Sequence, residues 1–101
     1  MTARIVFTES ADADADGIFA DVRAGAGDPT ALKYRAQFRR LFATLADFPK
    51  SGPIRRALGG DIRIGIVFPY VVIYDYDPAQ DVVTILCIVH GRRKITGALL
   101  R

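Results

Sequence analysis

Apolar residues recur at every second position at the start of the chain, then at every third and fourth, then at every second again. Ala3 to Thr8 alternates, with Ile5 and Phe7 facing one way and Arg4 and Val6 the other, and reads as a first strand. Ala11, Ala15, Ile18 and Val22, with Phe19 beside them, follow at helical spacing. Thr8 or Ser10 is placed to cap this helix, and Gly25-Ala26-Gly27 ends it. Asp28-Pro29 opens a second helix, because the carboxylate is placed to accept orphan backbone N–H groups and proline's fixed φ suits the first turn. Tyr34, Phe38, Leu41 and Leu45, with Phe42, give it a broad apolar face ringed by Lys33, Arg35, Arg39 and Arg40, and it should end near Asp47, ahead of Pro49.

Strand patterns fill the rest. Ile54 to Leu58 reads as a short strand, and Gly59-Gly60-Asp61 turns the chain into Ile62 to Phe68. Here Ile62, Ile64, Ile66 and Phe68 form the expected core face, which points Arg63, Gly65 and Val67 away from it. Phe68-Pro69 and Asp77-Pro78-Ala79-Gln80-Asp81 connect two further strands, Tyr70 to Tyr76 and Val82 to Val89, as an antiparallel meander. Both are apolar on both faces and a helical hairpin covers only one. The second face is expected to lie under a short C-terminal helix carrying Ile95, Leu99 and Leu100, or under a separate protein segment. The expected fold is α+β: an N-terminal strand and a two-helix hairpin packed on a small antiparallel sheet, with a short C-terminal helix, all in one domain spanning residues 1–101.

With half of its 101 residues apolar and a quarter charged, the composition is that of a folded chain rather than a disordered one. No apolar run suits a signal peptide or a membrane span, so a cytoplasmic protein is expected. The net charge of +3 is unevenly spread, −4 over residues 1–31 and +7 over residues 32–101. That asymmetry points to an acidic partner, nucleic acid or protein, unless the basic surface is merely solvated.

Cys87, the single cysteine, falls inside a strand pattern and reads as a small buried hydrophobe. Asp12-Ala13-Asp14-Ala15-Asp16-Gly17 imitates the first half of a calcium loop, but its twelfth position is Arg23 where a bidentate acid is needed. His90 is the only histidine and has no cluster around it that suits a metal, so no metal or cofactor is expected. Arg63, with the loop His90-Gly91-Arg92-Arg93, is expected to form an electropositive patch, since guanidinium groups bind phosphates and carboxylates by paired hydrogen bonds.

Several ordered features resemble one known group of proteins. They are the opening strand followed by Ala11, Asp14, Ala15 and Ile18, the stretch Leu45-Ala46-Asp47-Phe48-Pro49-Lys50-Ser51-Gly52, the strand residues Arg63, Tyr70, Val72, Ile73 and Tyr74, and the close Ile85-Leu86-Cys87-Ile88-Val89-His90-Gly91-Arg92-Arg93. Together they resemble the RelE/ParE superfamily of toxins from type II toxin-antitoxin pairs. The resemblance implies a ParD-like antitoxin partner, a hetero-oligomer with it, and an antitoxin-facing surface at Phe19, Phe38, Phe42 and Tyr74. Arg63, His90, Arg92 and Arg93 become the residues expected to meet the antitoxin or the target. RelE-like members cleave mRNA on the ribosome with strand lysines and arginines and a tyrosine near the C-terminus. Here Val71 stands where those enzymes place an arginine, the tail has no tyrosine, and only Arg92 matches a catalytic position. The pattern is closer to ParE-like members, which block DNA gyrase without being nucleases, although Cys87 departs from the arginine they often carry. A gyrase-inhibiting toxin is therefore expected, with an mRNA endonuclease or a non-toxic binding module as the alternatives.

Overall fold

Thr8 starts the first helix in the computed structural model, which describes residues 2–100. Its Oγ1 accepts the Ala11 N–H at 3.0 Å and donates to the Leu86 carbonyl at 2.8 Å, so one hydroxyl both caps the helix and ties it to the sheet. Strand β1 (Arg4–Phe7) precedes this helix, α1 (Glu9–Ala26). Gly27, at φ 88°, reverses the chain into α2 (Asp28–Asp47). Asp28 does not cap α2. Its carboxylate instead lies 3.2 Å from Arg23 Nε, because Gly27 occupies the capping position and Asp28 is already in the helix. The strand expected over Ile54 to Leu58 reduces to one bridge between Ile54 and Arg63, followed by a 3₁₀ turn at Arg56–Leu58.

Strands β2 (Arg63–Val67), β3 (Tyr70–Asp77) and β4 (Val82–His90) form the antiparallel meander. The four-stranded sheet has the order β1-β4-β3-β2, and β1 joins β4 in parallel, so the sheet is mixed rather than antiparallel throughout. A bulge interrupts β4, whose register passes from Ile73 opposite Cys87 to Tyr74 opposite Ile85. Leu86 is the extra residue, and the alternation inverts across it: Val83 and Ile85 face the helices, and beyond the bulge so does Ile88. Past the end of β1 the edge of β4 is closed by a side chain, since Asp14 Oδ2 accepts the Ile88 N–H at 2.9 Å. One acid of the calcium-like run thus serves the sheet.

Each face of the sheet carries its own core. Phe38, Leu45, Val72, Tyr74, Val83, Ile85 and Ile88 pack under the helices. On the other face Leu58, Ile64, Val71, Ile73, Cys87 and Val89 are covered by Ile95, with Leu99 and Leu100 partly buried from a C-terminal 3₁₀ turn at Gly97–Leu100. The chain therefore covers its own second face. Cys87 is buried there, and burial, with Asp14 nearby, pushes its thiol pKa up. The core face expected for β2 holds only in part. Ile64 is buried, but Ile66 is 56% and Phe68 82% exposed, while Val67 is buried on the helix side. β2 is an edge strand, so the covering segment leaves its last residues bare.

Candidate partner-binding site

A cleft of about 260 Å³ opens between the two helices. Phe7, Ala15, Phe19, Phe38, Phe42 and Ile88 line it, and Asp12, Arg35 and Arg39 stand at its polar positions. Helical spacing explains this arrangement: Phe38 and Phe42 are four residues apart on the inner face of α2, and Arg35 and Arg39 share the neighbouring stripe. The Arg35 guanidinium sits 5.2 Å from the centre of the Phe19 ring, which holds that cation over the apolar wall. Next to the cleft a second depression, reaching Arg23 and Asp28, continues along the hairpin past Leu32. An apolar floor with mostly cationic edges is suited to a protein segment that carries apolar anchors and acids.

Aromatic rings run from the cleft to the end of the sheet. Phe7 meets Phe42 at 5.1 Å, Phe42 meets Phe38 at 6.2 Å, Phe38 meets Tyr70 at 6.1 Å, and Tyr70 meets His90 at 5.7 Å. Tyr34 stacks on Tyr70 from the helix side at 5.7 Å. Burial, Tyr34 and Asp21 all raise the Tyr70 phenol pKa, so it stays protonated near neutral pH. His90 Nδ1 accepts the Arg92 N–H at 3.0 Å, and the His90 carbonyl accepts the Arg93 N–H at 2.9 Å, which folds the closing loop into a tight turn. Gly91 donates to Pro69 O at 2.7 Å and anchors that loop to the β2–β3 turn. Arg92 and Arg93 are exposed on it.

Two expected site residues lie elsewhere. Arg63 pairs with Tyr74 in the sheet, whereas the loop lies beyond His90, which pairs with Tyr70; the four-residue offset alone separates them by about 13 Å along the strands. The Arg63 guanidinium is also not free on a solvent face. It donates from Nη1 to Gly52 O at 2.8 Å and to Lys50 O at 3.1 Å, because its side of β2 is the helix side. Tyr74 cannot face an antitoxin either, since it is 0% exposed. Its hydroxyl accepts the Gly52 N–H at 3.0 Å and donates to Pro49 O at 2.9 Å, so Tyr74 and Arg63 together clamp the loop after α2. Phe19, Phe38 and Phe42 do meet in the cleft, and His90, Arg92 and Arg93 share one loop.

The sequence places Arg35, Arg39, Tyr34 and Phe7 on their helix or strand but does not mark them as site residues. Arg35 and Arg39 carry a legible signal, two cations four residues apart beside Phe38 and Phe42. Phe7 and Tyr34 carry none, because their partners Phe42 and Tyr70 are distant in the chain. Among the described residues no group of three His, Cys, Asp or Glu is placed to hold a metal ion, and no helix is long and apolar enough to cross a membrane.

Comparison with known proteins identifies the group. Residues 5–95 match the model of the family described as ParE toxin of type II toxin-antitoxin system, parDE. No curated protein matches the sequence significantly. Among solved structures, the chain is similar to a chain of the chromosomal ParDE system of P. aeruginosa, with a TM-score of 0.72 and 20% identity over 88% of this chain and 96% of that one. It is also similar to a chain of the RelBE2 toxin-antitoxin complex of Mycobacterium tuberculosis, with a TM-score of 0.63 and 25% identity over 89% and 99% of the two chains. A double-arginine mutant of E. coli RelE in the free state matches with a TM-score of 0.65 and 15% identity over 90% and 85%. The match over nearly the whole chain, on a fold of two helices and a mixed sheet shared with these structures, shows that this chain belongs to the ParE toxin family of type II toxin-antitoxin systems.

Proposed function

We propose that this chain is a toxin held inactive by a ParD-like antitoxin lying in the interhelical cleft, and that the free toxin binds and blocks DNA gyrase in the cytoplasm. The observation that carries the antitoxin site is the cleft itself: aromatic side chains at its floor, Arg35 and Arg39 at its edge, and no segment of the described chain over it. The solved ParDE and RelBE2 structures to which the fold is similar come from toxin-antitoxin systems, which supports a partner of this kind. Inhibition by binding rather than by chemistry is favoured by what surrounds Arg92. Val71 is buried against the C-terminal segment, so the position where a nuclease's charge clamp needs an arginine offers none.

A second reading rests on one observation. Tyr34, Tyr70 and His90 meet edge to face in a row that ends beside Arg92, which puts phenols and an imidazole next to the one arginine that matches a nuclease position. Expression in cells, alone and with the adjacent reading frame, separates the readings when mRNA ends are mapped on translating ribosomes. Growth arrest without new mRNA ends, relieved by the neighbouring protein, is the expected result. Codon-linked cleavage that disappears with Arg92→Ala establishes the endonuclease instead, and normal growth with folded toxin present leaves only a non-toxic binding module.

A further inference from the structure

The uneven spread of charge along the chain becomes a separation in space. On the helix side of the sheet, α1 holds Glu9, Asp12, Asp14, Asp16 and Asp21 against one base, Arg23. Across the sheet, residues 53–60 and 91–100 hold no acid and carry Arg55, Arg56, Arg92, Arg93 and Lys94, all of them exposed. These two segments run together. Leu58 and Ile95 are buried in one core, and a Cβ built at Gly97 would lie 3.8 Å from the Ala57 carbonyl. The only ion pair among the described residues joins Arg23 to Asp28, so solvent is the counterpart of these five cations; Asp61, just beyond Gly60, is the acid that follows them most closely.

Backbone bonds set the length of the basic surface. Arg55 donates to Ile62 O at 2.8 Å ahead of β2, and Gly91 donates to Pro69 O at 2.7 Å beyond its other end. The cations therefore form a stripe about 20 Å long, the height of about six base pairs of DNA. Leu58 and Ile95 are turned into the core between its ends, so the stripe offers charge without an apolar floor. An acidic peptide is held mainly by apolar anchors in pockets, whereas a phosphate backbone needs none. At the Pro69 end stands Phe68, 82% exposed. It is one free ring, since neighbouring His90 meets Tyr70 edge to face, and a single strand calls for several rings in succession. One apolar side chain among cations is instead what minor-groove proteins press against a base step.

We propose that this stripe binds duplex DNA, with its five cations on phosphates and Phe68 against the minor groove. The stripe and the cleft lie on opposite sides of the sheet, so the acids of α1 are turned away from the duplex. The inference extends the gyrase reading and rests on it for its role. A chain that holds DNA as well as the enzyme acting on that DNA is bound at two points, and the second contact is intramolecular.

The test is binding of the full chain to a labelled duplex of about 30 base pairs, read by fluorescence anisotropy over a range of salt with no gyrase present. Five neutralised phosphates predict a slope of log affinity against log salt of about −4.5. Arg56→Gln with Arg93→Gln should make that slope shallower by about 2 and weaken binding by about tenfold or more at low salt. Phe68→Ala removes a contact that releases no counterion, so it should weaken binding by about fivefold with the slope unchanged. Lys33→Gln with Lys50→Gln, the same loss of charge at exposed positions outside the stripe, should leave the slope at the parent's value. All three variants change exposed side chains and should melt like the parent. A parental slope in the Arg56 and Arg93 variant, or tighter binding of single-stranded RNA or of poly-glutamate than of the duplex, overturns the stripe and leaves the gyrase reading standing. Duplex binding as predicted, beside full supercoiling by gyrase at saturating toxin, supports the stripe and removes the gyrase reading.

Discussion

Reversing two charges on α2, with Arg35→Glu and Arg39→Glu in one chain, weakens the antitoxin complex by roughly a thousandfold while the toxin stays folded. Both arginines are exposed in the isolated chain, and each has solvent as its main alternative partner, so the fold loses little beyond the contact of Arg35 with Phe19. On the proposed reading the same positions are covered in the complex and face acids of the antitoxin. Two like-charge contacts in a desolvated interface then cost about 4 kcal/mol, the equivalent of that thousandfold loss. The control is Arg55→Glu with Arg56→Glu, an identical change of net charge at exposed positions outside the cleft. Calorimetry of all three complexes separates a local contact from general attraction to a basic protein. If both double variants lose the same small factor, the cleft is not where the antitoxin binds.

The largest stability effect is expected at the clamp of Tyr74 and Gly52. A Cβ on Gly52 would be driven against Ile64 O and would lie 2.6 Å from Tyr74 Oη, both inside the core rather than at a yielding surface. Gly52→Ala must therefore displace the loop and strain the bonds that Tyr74 and Arg63 make to it, at a cost of about 3 kcal/mol. Tyr74→Phe keeps the ring but leaves the Gly52 N–H and the Pro49 carbonyl without their partner, for about 2 kcal/mol. Against the roughly 5–15 kcal/mol that stabilises a small domain, either change is conspicuous in urea or thermal unfolding.

The clamp also predicts a pH dependence. Burial raises the Tyr74 phenol above its ordinary value of 10.0, an effect only partly offset by the Gly52 N–H, Arg63 and Ser51. Its contribution is fully present below the unfolded phenol's pKa, near 10. Above that pH the unfolded chain releases the proton first, so stability falls until the folded phenol ionises as well. Tyr74→Phe should therefore be less stable at neutral pH and should lose less stability than the parent on going to alkaline pH. An equally steep alkaline decline in both proteins removes this role of Tyr74.

Local chemistry made the helices legible in the sequence. Thr8, one of the two cap candidates, Gly27 and Pro49 mark the helix limits through interactions within a few residues, although Gly25, read as part of the helix end, lies inside α1. The faces of β2 were harder. Its alternation was correct, but alternation does not say which face meets the helices, and choosing by bulk put Ile66 and Phe68 inside and Arg63 outside. In β4 the bulge at Leu86 inverts the pattern, and its cause is a change of register with β3 that leaves no local mark. The parallel pairing of β1 with β4 escaped for the same reason. At the site, Phe19, Phe38 and Phe42 were legible as a helical apolar face, and the closing basic loop was legible from its residues. The aromatic row that joins them to Tyr34, Tyr70 and His90 is a product of tertiary packing alone.

The most direct test of an antitoxin-controlled gyrase inhibitor is plasmid supercoiling by purified DNA gyrase as the purified chain is titrated in, with and without the protein from the adjacent reading frame. The predicted result is a loss of supercoiling that tracks toxin concentration, is reversed by the partner, and is no longer reversed when the toxin carries Arg35→Glu with Arg39→Glu. Full supercoiling at saturating toxin, from a preparation that still arrests growth and binds its partner, contradicts it.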